Sequence, residues 1–339
     1  MKKAAVILVI NVFLIAVIVI AADLISSYKA HKENVQFIKD SIIDTYNNAG
    51  KNLDEKDNYI PTFSWSLKMQ PFSKFWNKER KNFHSLRRYI KGSNKNKKSV
   101  ILFGCSFVEG DFLEPKQTFG YKLSKLTGRT VYNRGFSGSG PEVMLWQTRN
   151  NKFYEDIKET PEYAVFVYIN DHLRRIYFNT YGLDLRVYAG YRQKNGSLIE
   201  YTPKDIQLHR LNFIRKHTEE KLYSGNLLKN EYQDRHFDFL KLHFEESRKE
   251  LQKRYPDIKF IIIKYPQKLL LEGKVLDTVK YAFYTDRWKE LEDEGFIIYD
   301  LDKKLNVDIT QDKYSLPDQH PAEQAWNVIT EQLVKDFNL

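Results

Sequence analysis

The chain has 339 residues, 42% of them hydrophobic and 14% aromatic, enough for one large domain with an appendage or for two small ones. One cysteine excludes an internal disulfide and any cysteine cage for zinc, and leaves the compartment open between cytoplasm and periplasm. The net charge of +10 is uneven: residues 68–98 hold eleven Lys and Arg against the single acid Glu79, so the remainder is close to neutral.

Met1-Lys2-Lys3 precedes Ala4–Ala22, nineteen residues with Asn11 as the lone polar side chain, and Asp23 ends the run. About 20 apolar residues cross a hydrocarbon core of ~30 Å, whereas a cleavable leader carries a shorter apolar region. The expectation is one transmembrane signal anchor over residues 1–23. Ala21-Ala22 keeps cleavage open as a second reading. Lys2 and Lys3 favour a cytoplasmic N-terminus, with the rest of the chain facing the periplasm or exterior of a bacterial inner membrane.

Residues 24–98 read as a polar stalk followed by a basic juxtamembrane arm, in which Phe72, Phe75, Trp76, Phe83 and Tyr89 interleave the charges. Such a segment suits anionic headgroups or an anionic polymer. A nucleic-acid surface fits less well beside an anchor, and a solvated arm packed on the main domain is equally compatible. The polar run 92–98 places a domain boundary near residue 99.

Beyond it, short apolar strands at Val100–Phe103, Thr130–Asn133, Ala164–Ile169, Ile258–Lys264 and Phe296–Asp300 alternate with helical patterns near 116–127, 141–157, 235–254, 276–294 and 321–337. This alternation predicts an α/β domain over residues 99–339, a mostly parallel sheet with helices on both faces. Residues 174–234, rich in Tyr, Arg and Asn without clean periodicity, break the rhythm and read as an insertion or lid.

In open parallel sheets ligands sit outside the carboxyl ends of the strands, so the residues that follow each strand matter most. Gly104-Cys105-Ser106 follows the first and offers either a nucleophile or a helix cap. Asn133-Arg134-Gly135-Phe136-Ser137-Gly138-Ser139-Gly140 follows the second, with backbone N–H groups free to approach a ligand or simply to turn. Asn170-Asp171-His172 follows the third: an amide that can donate to an oxyanion, or an ordinary Asn-Asp turn. Near the C-terminus, Asp318 and His320 stand two apart on a loop before the last helix, where an acid can fix the tautomer of a base; Asp312 is less well placed.

Together and in this order, these segments resemble the SGNH (GDSL-type) hydrolase family. Phe103–Gly110 is similar to its first block, Asn133–Gly138 to its second, Tyr168–Asp171 to its third and Asp318–Pro321 to its fifth. The resemblance covers roughly residues 99–337. It implies a three-layer αβα, flavodoxin-like fold, with Ser106 as nucleophile, His320 as base and Asp318 as its acid. Ser106, Gly138 and Asn170 would form the oxyanion hole, and no metal or cofactor is required. The implied activity is serine-esterase acyl transfer, with hydrolysis or transfer to a sugar hydroxyl both open. With the outward-facing anchor, the substrate expected is an O-acyl, especially acetyl, ester of envelope carbohydrate. A lipid esterase or thioesterase, and an inactive membrane-anchored protein that binds an envelope polymer, remain alternatives. Cys105 stands where the family usually has Asp, which should alter packing more than chemistry. Tyr168 stands where Gly is usual, and its ring is expected to narrow the pocket.

Overall fold

The computed structural model describes residues 88–94, 97–169, 171–179, 191–200, 230–266, 270–271, 274–275, 286–316 and 320–339. The expected anchor, the stalk, most of the basic arm, much of the insertion, and the site candidates Asn170 and Asp318 lie outside these residues. Among the described residues no helix is long and apolar enough to cross a membrane.

Strands β1 (Tyr89–Ile90), β2 (Ser99–Phe103), β3 (Val131–Asn133) and β4 (Pro161–Tyr168) come first. A hairpin, β5 (Tyr191–Lys194) and β6 (Ser197–Glu200), follows, then β7 (Lys259–Lys264), the short pair β8 (Leu270–Leu271) and β9 (Lys274–Val275), and β10 (Ile297–Asp300). The main sheet has the order β1-β3-β2-β4-β7-β10. Every pairing in it is parallel except that of β1, which runs antiparallel to β3 with Tyr89 opposite Tyr132 and Ile90 opposite Val131. The five parallel strands thus follow the flavodoxin-like order 2-1-3-4-5, whose topological switch point lies between the first and third of them, here β2 and β4. Tyr89 and Ile90, assigned to the arm by the expected boundary, are part of this sheet.

Each central strand is buried on both faces, which is why its sequence is a continuous apolar run. Val100 and Leu102 of β2, Val165 and Val167 of β4, and Ile261 and Ile263 of β7 face one core. That core is closed by α2 (Phe119–Thr127) and α8 (Glu323–Phe337), with Phe119 stacked on Trp326 at 4.8 Å between ring centres. The alternate residues Ile101, Phe103, Ala164, Phe166, Phe260 and Ile262 face a second core. This one is covered by α3 (Pro141–Arg149), α4 (Asp171–Asn179), α5 (Asn230–Arg254) and α6 (Trp288–Asp293). Two four-residue helices, α1 (Ser106–Glu109) and α7 (Leu301–Lys304), follow β2 and β10 directly.

The five expected parallel strands all form. The helix expected over 141–157 does not continue: Asn150 leaves helical geometry at φ −99°, ψ 110°, and its side chain accepts from Lys152 N at 3.1 Å. An asparagine offers the backbone this local alternative to the helical ladder, and a separate 3₁₀ turn covers Asn151–Tyr154. Of the helix expected near 276–294, Trp288–Asp293 is helical and residues 276–285 lie outside the described part.

Candidate active site

The switch point sets the chain after β2 at the crevice of the sheet. Gly104 there has φ +147°, and a Cβ on it would sit 2.6 Å from Val108 Cγ2, so this turn requires glycine. The turn delivers Ser106 to the first position of α1. Helix α1 is a single turn closed by Gly110 in the left-handed conformation, with Gly110 N donating to Ser106 O. Cys105 precedes it, and the backbone N–H groups of Val108 and Glu109 both donate to Cys105 O at 3.0 Å.

From the opposite end of the chain, a narrow loop brings His320 to the same place. Ser315 and Pro321 form a β-bridge, Leu316 N donates to His320 O at 2.7 Å, and Ala322 N donates to Tyr314 O at 2.9 Å. His320 Nε2 lies 2.7 Å from Ser106 Oγ. With the Nε2 of the ring unprotonated, the hydroxyl donates to it, the geometry a general base needs to take that proton. The ring packs against Phe107 (5.1 Å between centres) and Phe112 (5.2 Å), so the pair has apolar walls. Phe112 is half exposed and holds φ +64°, an unfavourable conformation for a bulky side chain. Nothing in its residue type signals that geometry.

The glycine-rich loop after β3 completes the crevice. Asn133, fully buried, accepts from Gly135 N through Oδ1 at 2.9 Å and donates through Nδ2 to Val108 O at 2.7 Å, fastening the loop to α1. Ser139 N donates to Phe136 O at 3.0 Å, and Gly138 between them has φ +76°, as the third residue of a type II turn requires. From Arg134 to Ser139 each backbone N–H but one has an acceptor: Leu102 O, Asn133 Oδ1, Gly104 O, Glu109 Oε2 and Phe136 O take those of 134, 135, 136, 137 and 139. The Gly138 N–H alone has none among the described residues, and neither has the Ser106 N–H.

Buried charge holds this loop. Glu109 of α1 accepts from Ser137 N at 2.5 Å with one oxygen and from Arg88 Nη2 at 2.5 Å with the other, while Arg88 Nη1 donates to Gly135 O. Arg88, drawn from the basic arm, is 1% exposed. On the far side, Arg175 of α4 donates through Nε to Asp171 Oδ2 and through Nη1 to Ser139 O, each at 2.7 Å. Burial works against its charge, but Asp171 and Glu142 outweigh it and hold the guanidinium above its ordinary pKa. Neither Arg88 nor Arg175 was a candidate on sequence, since both take backbone carbonyls that no motif encodes.

Cys105 is fully buried, and burial pushes its thiol pKa up despite the nearby Arg175, so it stays a thiol with no access to substrate. His172 is fully buried as well. Its Nδ1 accepts from Ile169 N at 3.2 Å, its ring lies against Phe166 and Tyr168, and burial holds it neutral, which suits a structural residue. Tyr168 corrects an expectation: it is 0% exposed, and its ring packs against Trp288 at 4.8 Å in the second core. The pleat alternates side chains, so the residue before Ile169 points away from the pocket it was expected to narrow. Asp312 sits exposed in a 3₁₀ turn.

Comparison with known proteins adds a fold likeness. The chain is similar to a member of the lipolytic protein G-D-S-L family from Veillonella parvula, at 10% identity over 71% of this chain and 99% of that one, with a TM-score of 0.43. It is similar to a family two carbohydrate esterase from Clostridium thermocellum (9% identity, 71% of this chain and 64% of that one, TM-score 0.39). The same holds for a Corynascus carbohydrate esterase family 2 enzyme carrying a carbohydrate binding domain (11%, 73% and 67%, 0.38). No family model and no curated protein matches. At these TM-scores the functional reading rests on the residues themselves.

Proposed function

We propose that this chain is a serine esterase that works by acyl transfer. The observation that carries the reading is the 2.7 Å contact between Ser106 Oγ and His320 Nε2 at the sheet's switch point, beside two backbone N–H groups without an acceptor among the described residues. Ser106 Oγ attacks the ester carbonyl carbon while His320 Nε2 takes its proton. The carbonyl oxygen becomes an oxyanion and receives the Ser106 and Gly138 N–H groups. One such donor is worth roughly 2.7–4 kcal/mol in acyl transfer. The imidazolium then protonates the leaving alkoxide, and the C–O bond breaks to leave an acyl-serine. Water, deprotonated by His320, or a sugar hydroxyl in its place, releases the acyl group. By the sequence resemblance, Asp318 orients His320 and Asn170 supplies a third donor to the oxyanion; both lie outside the described residues.

For substrate the reading is an O-acyl, especially acetyl, ester of envelope carbohydrate, met outside the inner membrane by a domain tethered through residues 1–23. It rests on the expected anchor. The basic arm at 68–98 would meet an anionic envelope surface. The apolar walls that Phe107 and the half-exposed Phe112 form around His320 favour a second reading, an ester or thioester of a longer acyl chain.

Labelling by a serine-directed phosphonate, followed by p-nitrophenyl acetate hydrolysis, tests the chemistry. Wild type should be labelled and active, and Ser106→Ala should lose both. A wild-type protein that neither labels nor turns over leaves the binding-protein alternative. Rates on acetyl against octanoyl esters separate the two substrate readings.

A further inference from the structure

Arg175 ties together two segments that meet at the crevice. Through Nη1 it donates to Ser139 O, inside the glycine loop and next to Gly138. Through Nε it donates to Asp171 Oδ2, in the first turn of α4 and next to Asn170. Ser139 adds a second tie: its Oγ donates to Gly104 O at 2.8 Å, joining the glycine loop back to the nucleophile turn that carries Ser106. Ser139 is the sequence neighbour of Gly138, a proposed oxyanion donor.

We propose that Arg175 is the positioning residue of the oxyanion hole, fixing the Gly138 N–H relative to the nucleophile turn by holding the glycine loop against the start of α4. The inference rests on the esterase reading above and adds a residue that does not touch substrate. Donors carried on separate loops stabilise an oxyanion only when all lie about 2.7–3.1 Å from where it forms. A rigid group bonded to both the glycine loop and α4 removes the freedom of that loop. A guanidinium suits the task because its donors diverge in one plane at fixed angles, whereas an ammonium on a flexible stem cannot hold a carboxylate and a carbonyl in one fixed arrangement. The charge costs little at this spot, since Asp171 and Glu142 face it.

The test uses the full chain with Arg175→Met and Arg175→Lys, scored by kcat and KM on p-nitrophenyl acetate, by the pH profile of kcat/KM, by phosphonate labelling rate and by Tm. Misplacing catalytic groups by about 1 Å costs on the order of 100-fold. Arg175→Met should therefore lose about 100-fold in kcat and labelling rate with KM nearly unchanged, and Arg175→Lys about tenfold. The pH midpoint set by His320 should stay put in both, since among the described residues Arg175 bonds to Asp171 and Ser139 and not to that ring. If Arg175→Met does not fold, Arg175→Lys, which keeps the charge, carries the test alone. A lowered Tm with kcat within twofold of wild type would reduce Arg175 to a structural residue and overturn the proposal while the esterase reading stands. A wild-type protein that neither labels nor turns over removes both.

Discussion

The buried pair Arg88–Glu109 offers a stability test whose magnitude follows from its surroundings. The two side chains are 1% and 6% exposed and 2.5 Å apart, and Glu109 also accepts from Ser137 N. Arg88→Met keeps most of the volume but removes the guanidinium facing Glu109 and the donor to Gly135 O. Breaking a buried pair from one side costs about 3–5 kcal/mol, a large share of the roughly 5–15 kcal/mol that folds a domain. Glu109→Gln retains an oxygen for Ser137 N but strands the Arg88 charge, so it should cost a similar amount. The double variant buries neither charge and should cost less than the two singles together, with a coupling energy of at least about 2 kcal/mol. Urea unfolding at pH 7 measures all four proteins. Because Glu109 fixes the Ser137–Gly138 turn, the ester kcat of the folded Arg88→Met protein should fall as well. An Arg88→Met cost below about 1 kcal/mol, or strictly additive singles, would refute the view that an arginine of the basic arm holds the site together.

Cys105→Ala should retain esterase activity within a few-fold where Ser106→Ala has none, because the thiol is buried and its burial keeps it protonated; loss of activity in both would reopen the choice of nucleophile. Gly138→Ala places a Cβ at φ +76°, at a strain of roughly 1–2 kcal/mol. It should turn the one N–H of its loop that has no acceptor among the described residues and lower kcat by on the order of 100-fold, so a wild-type kcat would remove Gly138 from the oxyanion hole. Burial pulls His243 down from 6.5 to about 4, leaving it neutral when folded with Nδ1–H donating to Phe239 O. Between those values the unfolded chain binds the extra proton, so stability is full above about pH 6.5 and falls with pH toward 4. The His243 share is about 2 kcal/mol by pH 5 relative to pH 7.5. His243→Leu should flatten urea midpoints over that range by this amount, and an unchanged slope would show that His243 titrates normally. His172, shifted the same way, leaves a residual slope in the variant.

What the sequence revealed and what it hid differ in the range over which the determining physics acts. The strands were legible because a strand buried on both faces must be apolar throughout, and Val100–Phe103 is. The Ser106–His320 contact was legible although 214 residues separate the partners, because each stands at a strand or helix end where its residue type is informative. Hairpin β5–β6 carried a local signal that went unread. Asn195-Gly196 both take positive φ, as a two-residue type I′ turn demands, yet the polar strands around it show no core-facing run, with Tyr191 and Leu198 the buried pair. The two arginines are a different case. Arg88 lies in a run of eleven cations, where charge reads as solvated surface, and its neutralising partner Glu109 is 21 residues away. Arg175 acts on a backbone carbonyl 36 residues back, and every residue has a carbonyl. A side chain whose partner is a particular main-chain oxygen leaves no trace in residue type or spacing. The scaffold that aims the donors of a site is therefore harder to read from sequence than the groups that do the chemistry.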